Sequence, residues 1–247
     1  MIDYLKKYLN RNGYSNFDLK AVLFDMDGVL YNSMPAHAQS WQETMVEYGF
    51  ETTTAEEFFL HEGRVADATI DMIYERERGR KATEEEIKDV YARKTELFVK
   101  YNTGATIERS HDIIEFVKQR GLLPVLVTGS GQAALLNKLN DEFPNTFNSD
   151  TMVTAFDVEI GKPNPEPFLK GLHKGGNLKG NQAIAIENAP LGTESAHKAG
   201  VFTIVVNTGP LDPQVMWDAG ADIVFDSMNE LYDKLPELLK LFREVTV

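Results

Sequence analysis

The sequence predicts an α/β protein built on a parallel sheet covered by helices, with a small all-helical segment inserted after the first strand. Short apolar runs alternate with helical periodicity from Leu123 to Phe225, the pattern of a parallel sheet flanked on both faces. Between the first apolar run and that series, from Met34 to about Tyr101, only helical patterns occur. That insert, roughly 70 residues, exceeds an ordinary loop. The expected class is therefore a Rossmann-like parallel sheet sandwiched by helices, in a core of residues 1–33 and 103–247, with a helical cap domain over 34–102.

Taken in order, Ile2, Leu5, Tyr8 and Leu9 predict a short amphipathic helix that stops near Gly13. Lys20 to Asp25 reads as a buried strand. In the insert, Pro35 is placed to start a helix, and Gly49, Gly63 and Gly79 punctuate the rest. The later strands are predicted at Leu123 to Thr128, Thr151 to Thr154, Ala183 to Glu187, Phe202 to Val206 and Asp222 to Phe225. Ligands of such sheets bind beyond the carboxyl ends of the strands. Asp25, Thr128 and Glu187 end three of them and Asn188 follows the last, so four polar residues converge on one crevice.

Asp25 and Asp27 are two apart, so in extended backbone their side chains share a side, and Gly28 lets the chain turn away. Two close carboxylates coexist by sharing a proton or a cation. A Mg²⁺ on one of them, with substrate oxygens, frees the other for proton transfer. A calcium loop is a poor match, since the pair follows an apolar strand and no Glu closes a loop of the required pattern.

Thr128-Gly129-Ser130 offers a hydroxyl and backbone N–H groups for a phosphate. Gly129 to Ala134 also fits the dinucleotide pattern G-x-G-x-x-A, a nucleotide-binding alternative without catalysis, but no acid ends the next strand to take a ribose. Lys162 sits in a loop stiffened by Pro163, Pro165 and Pro167, which lowers the entropy lost in fixing it beside an anion. Glu187-Asn188 supplies metal ligands or their supports, with helix capping the ordinary alternative for Asn188.

In the insert, Ile87, Val90, Lys94, Leu97 and Tyr101 form one helical stripe. Lys94 interrupts it, either to snorkel to water or to place an ammonium over a phosphate. His61-Glu62-Gly63-Arg64 lies at a break between helices, where docking on the crevice would make its charges substrate contacts. His37 and Trp41 stand one helical turn apart near the junction with the core.

Composition narrows the partners. Against 25 basic residues stand 38 acidic ones, a net charge of −13 that argues against nucleic acid or an anionic membrane. The absence of cysteine excludes thiolate metal sites and suits a reducing compartment. No apolar run approaches the roughly 20 residues of a membrane span, and the first 20 residues lack a secretory h-region. A cytoplasmic, monomeric enzyme is expected.

In order, Asp25-Met26-Asp27-Gly28, Thr128-Gly129-Ser130, Lys162-Pro163 and Glu187-Asn188 resemble the four motifs of the haloacid dehalogenase superfamily. The helical insert resembles the cap of its β-phosphoglucomutase-like subgroup, and the likeness runs from Lys20 to Phe225, leaving the first 19 residues outside it. The resemblance implies that Asp25 attacks phosphorus to form an aspartyl phosphate, while Asp27 acts as acid and base with a raised pKa. It implies that Thr128, Gly129, Ser130 and Lys162 neutralise the transferring oxygens. Mg²⁺ would be held by the Asp25 carboxylate, the Asp27 carbonyl and the Glu187-Asn188 pair.

The family commonly has two acids at the last motif, where this chain has Asn188. Glu187, or Glu62 brought in by the cap, is expected to restore a negative ligand. The subgroup spans β-phosphoglucomutases, sugar-phosphate and phosphoglycolate phosphatases, and a cap-bearing pyrophosphatase. His37, Trp41 and Lys94 resemble the mutase; Glu62, Arg64 and Asn188 resemble the pyrophosphatase. Pyrophosphate hydrolysis is the first expectation, and interconversion of β-glucose 1-phosphate and glucose 6-phosphate the alternative.

Overall fold

The first helix, α1 (Ile2–Asn12), ends where Gly13 takes a left-handed conformation at φ 69°, which a residue without Cβ adopts freely. A computed structural model describes residues 1–131 and 133–247. Gln132, in the middle of the dinucleotide-like pattern, lies outside the described residues. Strand β1 (Ala21–Phe24) follows, one residue shorter at each end than its apolar run suggested.

The insert comprises α2 (Met34–Glu47), α3 (Ala55–Leu60), α4 (Ala66–Arg78) and α5 (Glu84–Tyr101). Pro35 stands in the first turn of α2, where its missing N–H costs nothing. A reciprocal capping box between Thr83 and Glu86 starts α5, and left-handed Gly79 ends α4. The four helices share an apolar cluster that includes Trp41, Met45, Phe50, Phe58, Ile70, Tyr74 and Val90.

The chain then alternates: α6 (Ser110–Gln119), β2 (Leu123–Val127), α7 (Ala133–Glu142), β3 (Met152–Val153), α8 (Glu166–Lys174) and β4 (Ala183–Glu187). It closes with α9 (Pro190–Lys198), β5 (Phe202–Val206), α10 (Pro213–Asp218), β6 (Ile223–Phe225) and α11 (Met228–Glu244). The six strands are parallel in the order β3-β2-β1-β4-β5-β6. Alternate residues of β1 serve opposite faces, as strand geometry requires. Val22 and Phe24 join Leu5, Ile113 and Leu235 in one core, while Ala21 and Leu23 join Phe168 and Ala196 in the other.

The N-terminal helix belongs to this packing. Leu5, Tyr8 and Leu9 are fully buried, the Tyr8 hydroxyl donates to the Gly200 carbonyl at 2.8 Å, and Arg11 makes two hydrogen bonds to Asp222. Two chain segments join the insert to the sheet, and they run side by side. Asn32 N–H donates to the Ala105 carbonyl at 2.8 Å and Ile107 N–H to the Leu30 carbonyl at 2.9 Å, around an antiparallel bridge between Tyr31 and Thr106. Among the described residues no helix is long and apolar enough to cross a membrane.

Candidate active site

β1 lies at the centre of the sheet, so its carboxyl end opens between the neighbouring strand ends. Asp25, one residue past the strand, keeps its N–H on the Ile186 carbonyl of β4 at 3.0 Å. Glu187 ends β4 as expected, and Thr128 stands one residue past the end of β2. A cleft between these strand ends and the insert is lined by Asp25, Asp27, Thr128, Gly129 and Ser130 from below and by His37, Glu62, Arg64 and Lys94 from above. Lys162, Glu187 and Asn188 stand behind that surface and are almost wholly buried.

Lys162 Nζ donates to Asp25 Oδ1 and to Glu187 Oε1, each at 2.6 Å, tying the third and fourth motifs to the first. Burial alone would lower its pKa, but the two carboxylates more than offset this and raise it. Asp25 is pushed well above the usual carboxylate range, chiefly by burial; Lys162 opposes that rise, and Glu187 and Asp27 add to it. The other Glu187 oxygen accepts from the Asn188 N–H at 3.1 Å. On the phosphate loop, Thr128 Oγ1 accepts from the Ser130 N–H at 2.9 Å, fixing the hydroxyl beside Asp25's cleft.

Asp27 differs from its expectation. Burial pushes its pKa up, but contacts with His37, Ser33 and Lys94 outweigh burial and lower it. Ser33 Oγ donates to Asp27 Oδ1 at 2.5 Å and His37 Nε2 lies 3.2 Å from the same oxygen. These contacts stabilise Asp27 in its ionised form. Ser33 is the contact that the sequence reading missed. It precedes a helix started by Pro35, so it reads as an N-cap, yet its side chain makes no cap bond.

Lys94 does not snorkel. It is 2% exposed, its Nζ lies 2.8 Å from His37 Nδ1, and it sits over the rings of Phe98 and Trp41 at 4.8 and 5.3 Å. Burial draws its pKa down to about 7, with Asp27 opposing. His37 in turn is lowered by burial and by Lys94, against the pull of Asp27. A chain of contacts therefore runs from Lys94 through His37 to Asp27, in place of a lysine free on the lid.

Glu62 reaches the fourth motif. Its two oxygens accept from Asn188 Nδ2 at 3.3 and 3.1 Å. Its pKa is raised well above normal by burial and then by Asp25, Asp27 and Glu187, against the Asn188 hydrogen bond. Asn188 Oδ1 is buried with no partner. Room for the amide comes from Gly28, at φ 83°, where a Cβ would fall 1.9 Å from Asn188 Nδ2. An unsatisfied amide oxygen beside mutually repelling carboxylates is a donor set that fits a hard divalent cation. Among the described residues no three acidic or histidine side chains form a ready cage, so such an ion would also draw on backbone and substrate oxygens.

The model of haloacid dehalogenase-like hydrolases matches residues 22–206, and the chain belongs to that family. It is an enzyme of this class, as the four motifs implied. A protein from Bacteroides vulgatus described as "Putative beta-phosphoglucomutase" is 47% identical over 98% of both chains, with a TM-score of 0.94. That match includes most of the N-terminal segment left outside the motif resemblance. The "Phosphorylated carbohydrates phosphatase" of Thermotoga maritima is 28% identical over 90% of this chain and all of its own length. "2-deoxyglucose-6-phosphate phosphatase 1" of Saccharomyces cerevisiae is 25% identical, covering 88% of this chain and 91% of that protein.

Proposed function

We propose that this enzyme transfers a phosphoryl group from a phosphorylated carbohydrate through an aspartyl phosphate on Asp25, with Mg²⁺ as cofactor. The observation that carries the reading is the Asp25 carboxylate, 2.6 Å from Lys162 Nζ, facing a cleft beside an ionised Asp27. In the same reading residues 1–33 and 103–247 are the core and 34–102 a cap domain. The relatives favour a carbohydrate phosphate over the pyrophosphate expected first. Phosphatase and mutase names both occur among them.

An Asp25 oxygen attacks phosphorus, and the bond from phosphorus to the leaving oxygen breaks. Thr128, the Gly129 and Ser130 backbone and Lys162 hold the transferring oxygens, the positioning and charge stabilisation on which such transfers chiefly depend. Asp27 must first bind a proton to give one to the leaving oxygen. In its ionised form it acts as a base that deprotonates water or a carbohydrate hydroxyl as that acceptor attacks the aspartyl phosphate. Asp25, the Asp27 carbonyl, Glu187 and Asn188 would hold Mg²⁺, which neutralises charge on the phosphoryl oxygens when bound. His37 and Lys94 act through Asp27, and Glu62 and Arg64 border the substrate.

Pyrophosphate is the second reading, favoured by the Glu62 contact with Asn188, which adds a fourth carboxylate near the metal region. A cytoplasmic location and a monomeric state belong to the same proposal. The cysteine-free sequence supports the first, and a sizing column tests the second. The deciding experiment offers β-glucose 1-phosphate, hexose 6-phosphates, small monoesters and pyrophosphate, with and without Mg²⁺. Turnover of carbohydrate phosphates that needs Mg²⁺ and is lost in Asp25→Asn is expected, and glucose 6-phosphate from β-glucose 1-phosphate would identify a mutase. Turnover of pyrophosphate alone would overturn the carbohydrate reading.

A further inference from the structure

We propose that Phe156 is a specificity-determining residue whose ring stacks on the non-reacting body of the substrate, so that the cleft favours a carbohydrate phosphate in its ring form. The inference rests on the phosphoryl-transfer reading and adds to it the shape of the group that carries the phosphate. Phe156 is 80% exposed, more than any other large apolar side chain among the described residues. An exposed apolar residue is by itself ordinary. The place and the rigidity of this one are not.

The place is the rim of the cleft. A Cβ on Gly131 would lie 3.2 Å from Phe156 Cζ and 3.7 Å from Tyr91 Oη, so an aromatic ring of the core and one of the insert both reach the end of the phosphate loop. Gly131 and Tyr91 line the cleft. Glycine at position 131 leaves the Phe156 ring room to lie against that loop.

The rigidity comes from the turn between β3 and Lys162. Asp157 Oδ2 accepts from the Thr154 N–H at 2.8 Å and from the Thr154 hydroxyl at 2.9 Å. The Asp157 N–H donates to the Thr154 carbonyl at 3.0 Å, and the Phe156 N–H to Thr154 Oγ1 at 3.3 Å. From α8, Lys174 donates to Asp157 Oδ1 at 3.0 Å and Lys170 to the Asp157 carbonyl. These bonds fix the backbone on both sides of Phe156 while its ring stands in water. Fixing a contact in advance lowers the entropy lost when a ligand settles on it. An idle exposed side chain needs no such support.

In the proposed reaction Thr128, Gly129 and Ser130 hold the transferring oxygens, so a substrate body that extends past Gly131 to the rim meets Phe156. A sugar ring presents a flat face of C–H groups, which packs on the negative face of an aromatic ring while the hydroxyls stay at its edge in water. An open-chain polyol has no fixed face of this kind, and pyrophosphate has no C–H group at all.

The test compares kcat and KM of wild type, Phe156→Ala and Phe156→Tyr on two ring-form substrates, β-glucose 1-phosphate and glucose 6-phosphate, and on open-chain glucitol 6-phosphate. Acetyl phosphate and pyrophosphate serve as substrates without a sugar. Phe156→Ala should lose about 5- to 20-fold in kcat/KM on the better ring-form substrate, almost all of it in KM, because stacking on the body holds ground state and transition state alike. The loss on glucitol 6-phosphate should be smaller, and the sugarless substrates should change by less than about twofold. Phe156→Tyr should keep wild-type kinetics, and both variants should keep the wild-type Tm. A loss shared equally by all substrates would make Phe156 a prop for the phosphate loop and overturn the proposal, as would an unchanged KM on the ring-form substrates. A wild-type dimer in sedimentation that Phe156→Ala dissolves would show the ring covered by a second copy of the chain, and would also overturn it. Calorimetry in an Asp25→Asn background gives a readout without turnover. Adding Phe156→Ala should weaken binding of glucose 6-phosphate and leave that of inorganic phosphate unchanged; unchanged binding of both overturns the proposal. Absence of turnover on every substrate would instead count against the phosphoryl-transfer reading, and the calorimetry would still decide the role of Phe156.

Discussion

Replacing Lys162 by Met probes the charge balance on which the site depends. The ammonium touches Asp25 and Glu187 at 2.6 Å each, and all three side chains are buried. Two oxygens that share one nitrogen at that distance lie no more than about 5 Å apart, where an effective dielectric of about 20 gives roughly 3 kcal/mol of repulsion. Removing one member of a buried ion pair costs about 3–5 kcal/mol, so the two routes agree. For a chain of this size that is a fall in Tm of roughly 6–20 °C.

The sign of its pH dependence is fixed. Asp25 is already raised above its unfolded value, and losing Lys162 raises it further. A carboxyl raised in the folded state destabilises above its folded pKa and ceases to do so below its unfolded one. The Tm gap between wild type and Lys162→Met, read by calorimetry, should therefore be wider in alkali than in acid and narrow as pH falls towards the unfolded carboxyl value of about 3.9. Adding Glu187→Gln should restore part of the loss, because the like-charge pair is gone. A gap that stays constant or widens in acid would refute the account.

Lys94 gives a test of the opposite sign. Its folded pKa of about 7 lies below the unfolded value near 10.4, so the unfolded chain binds more protons between them and stability rises with pH, by up to about 1.4 kcal/mol per unit. Lys94→Met should flatten that rise in urea melts at pH 7 and 9, and an unchanged slope would show that the ammonium is not strained by burial. Gly129→Ala would set a Cβ against the Gly63 carbonyl, backbone to backbone, and push the insert's turn away. kcat/KM should fall by about 100-fold with Tm nearly unchanged, and unaltered kinetics would mean that the contact is dispensable. Leu9→Ala, at a fully buried position on α1, should cost about 2–5 kcal/mol in urea unfolding. A cost below about 1 kcal/mol would place the N-terminal helix outside the cooperative unit.

The sheet was legible because buried parallel strands are nearly all apolar. Ala183 to Glu187 and Phe202 to Val206 need no partner to be recognised, and the polar residue that ends such a run must sit at the crevice. The same logic brought Asp25, Thr128 and Glu187 together correctly. What could not be read depends on contacts across the chain. The proton affinity of Asp27 is set by Ser33 and His37, which no spacing rule links to it. Whether Lys94 meets water or a histidine is decided by how α5 lies on α2. The N-terminal helix showed its periodicity, but its partners Gly200 and Asp222 lie far along the sequence, and local pattern carries no information about them.

The ribbon that joins the insert to the sheet has a mechanical consequence. Hydrogen bonds from Asn32 to Ala105 and from Ile107 to Leu30 join the two connections into one strip. Asp27 is bridged to Tyr31 at the root of that strip, while Ser33 and His37, which keep it ionised, ride just beyond the pivot. Any displacement of the insert would alter those two contacts with its carboxylate. A change in the angle of the insert would therefore also change the proton affinity of Asp27.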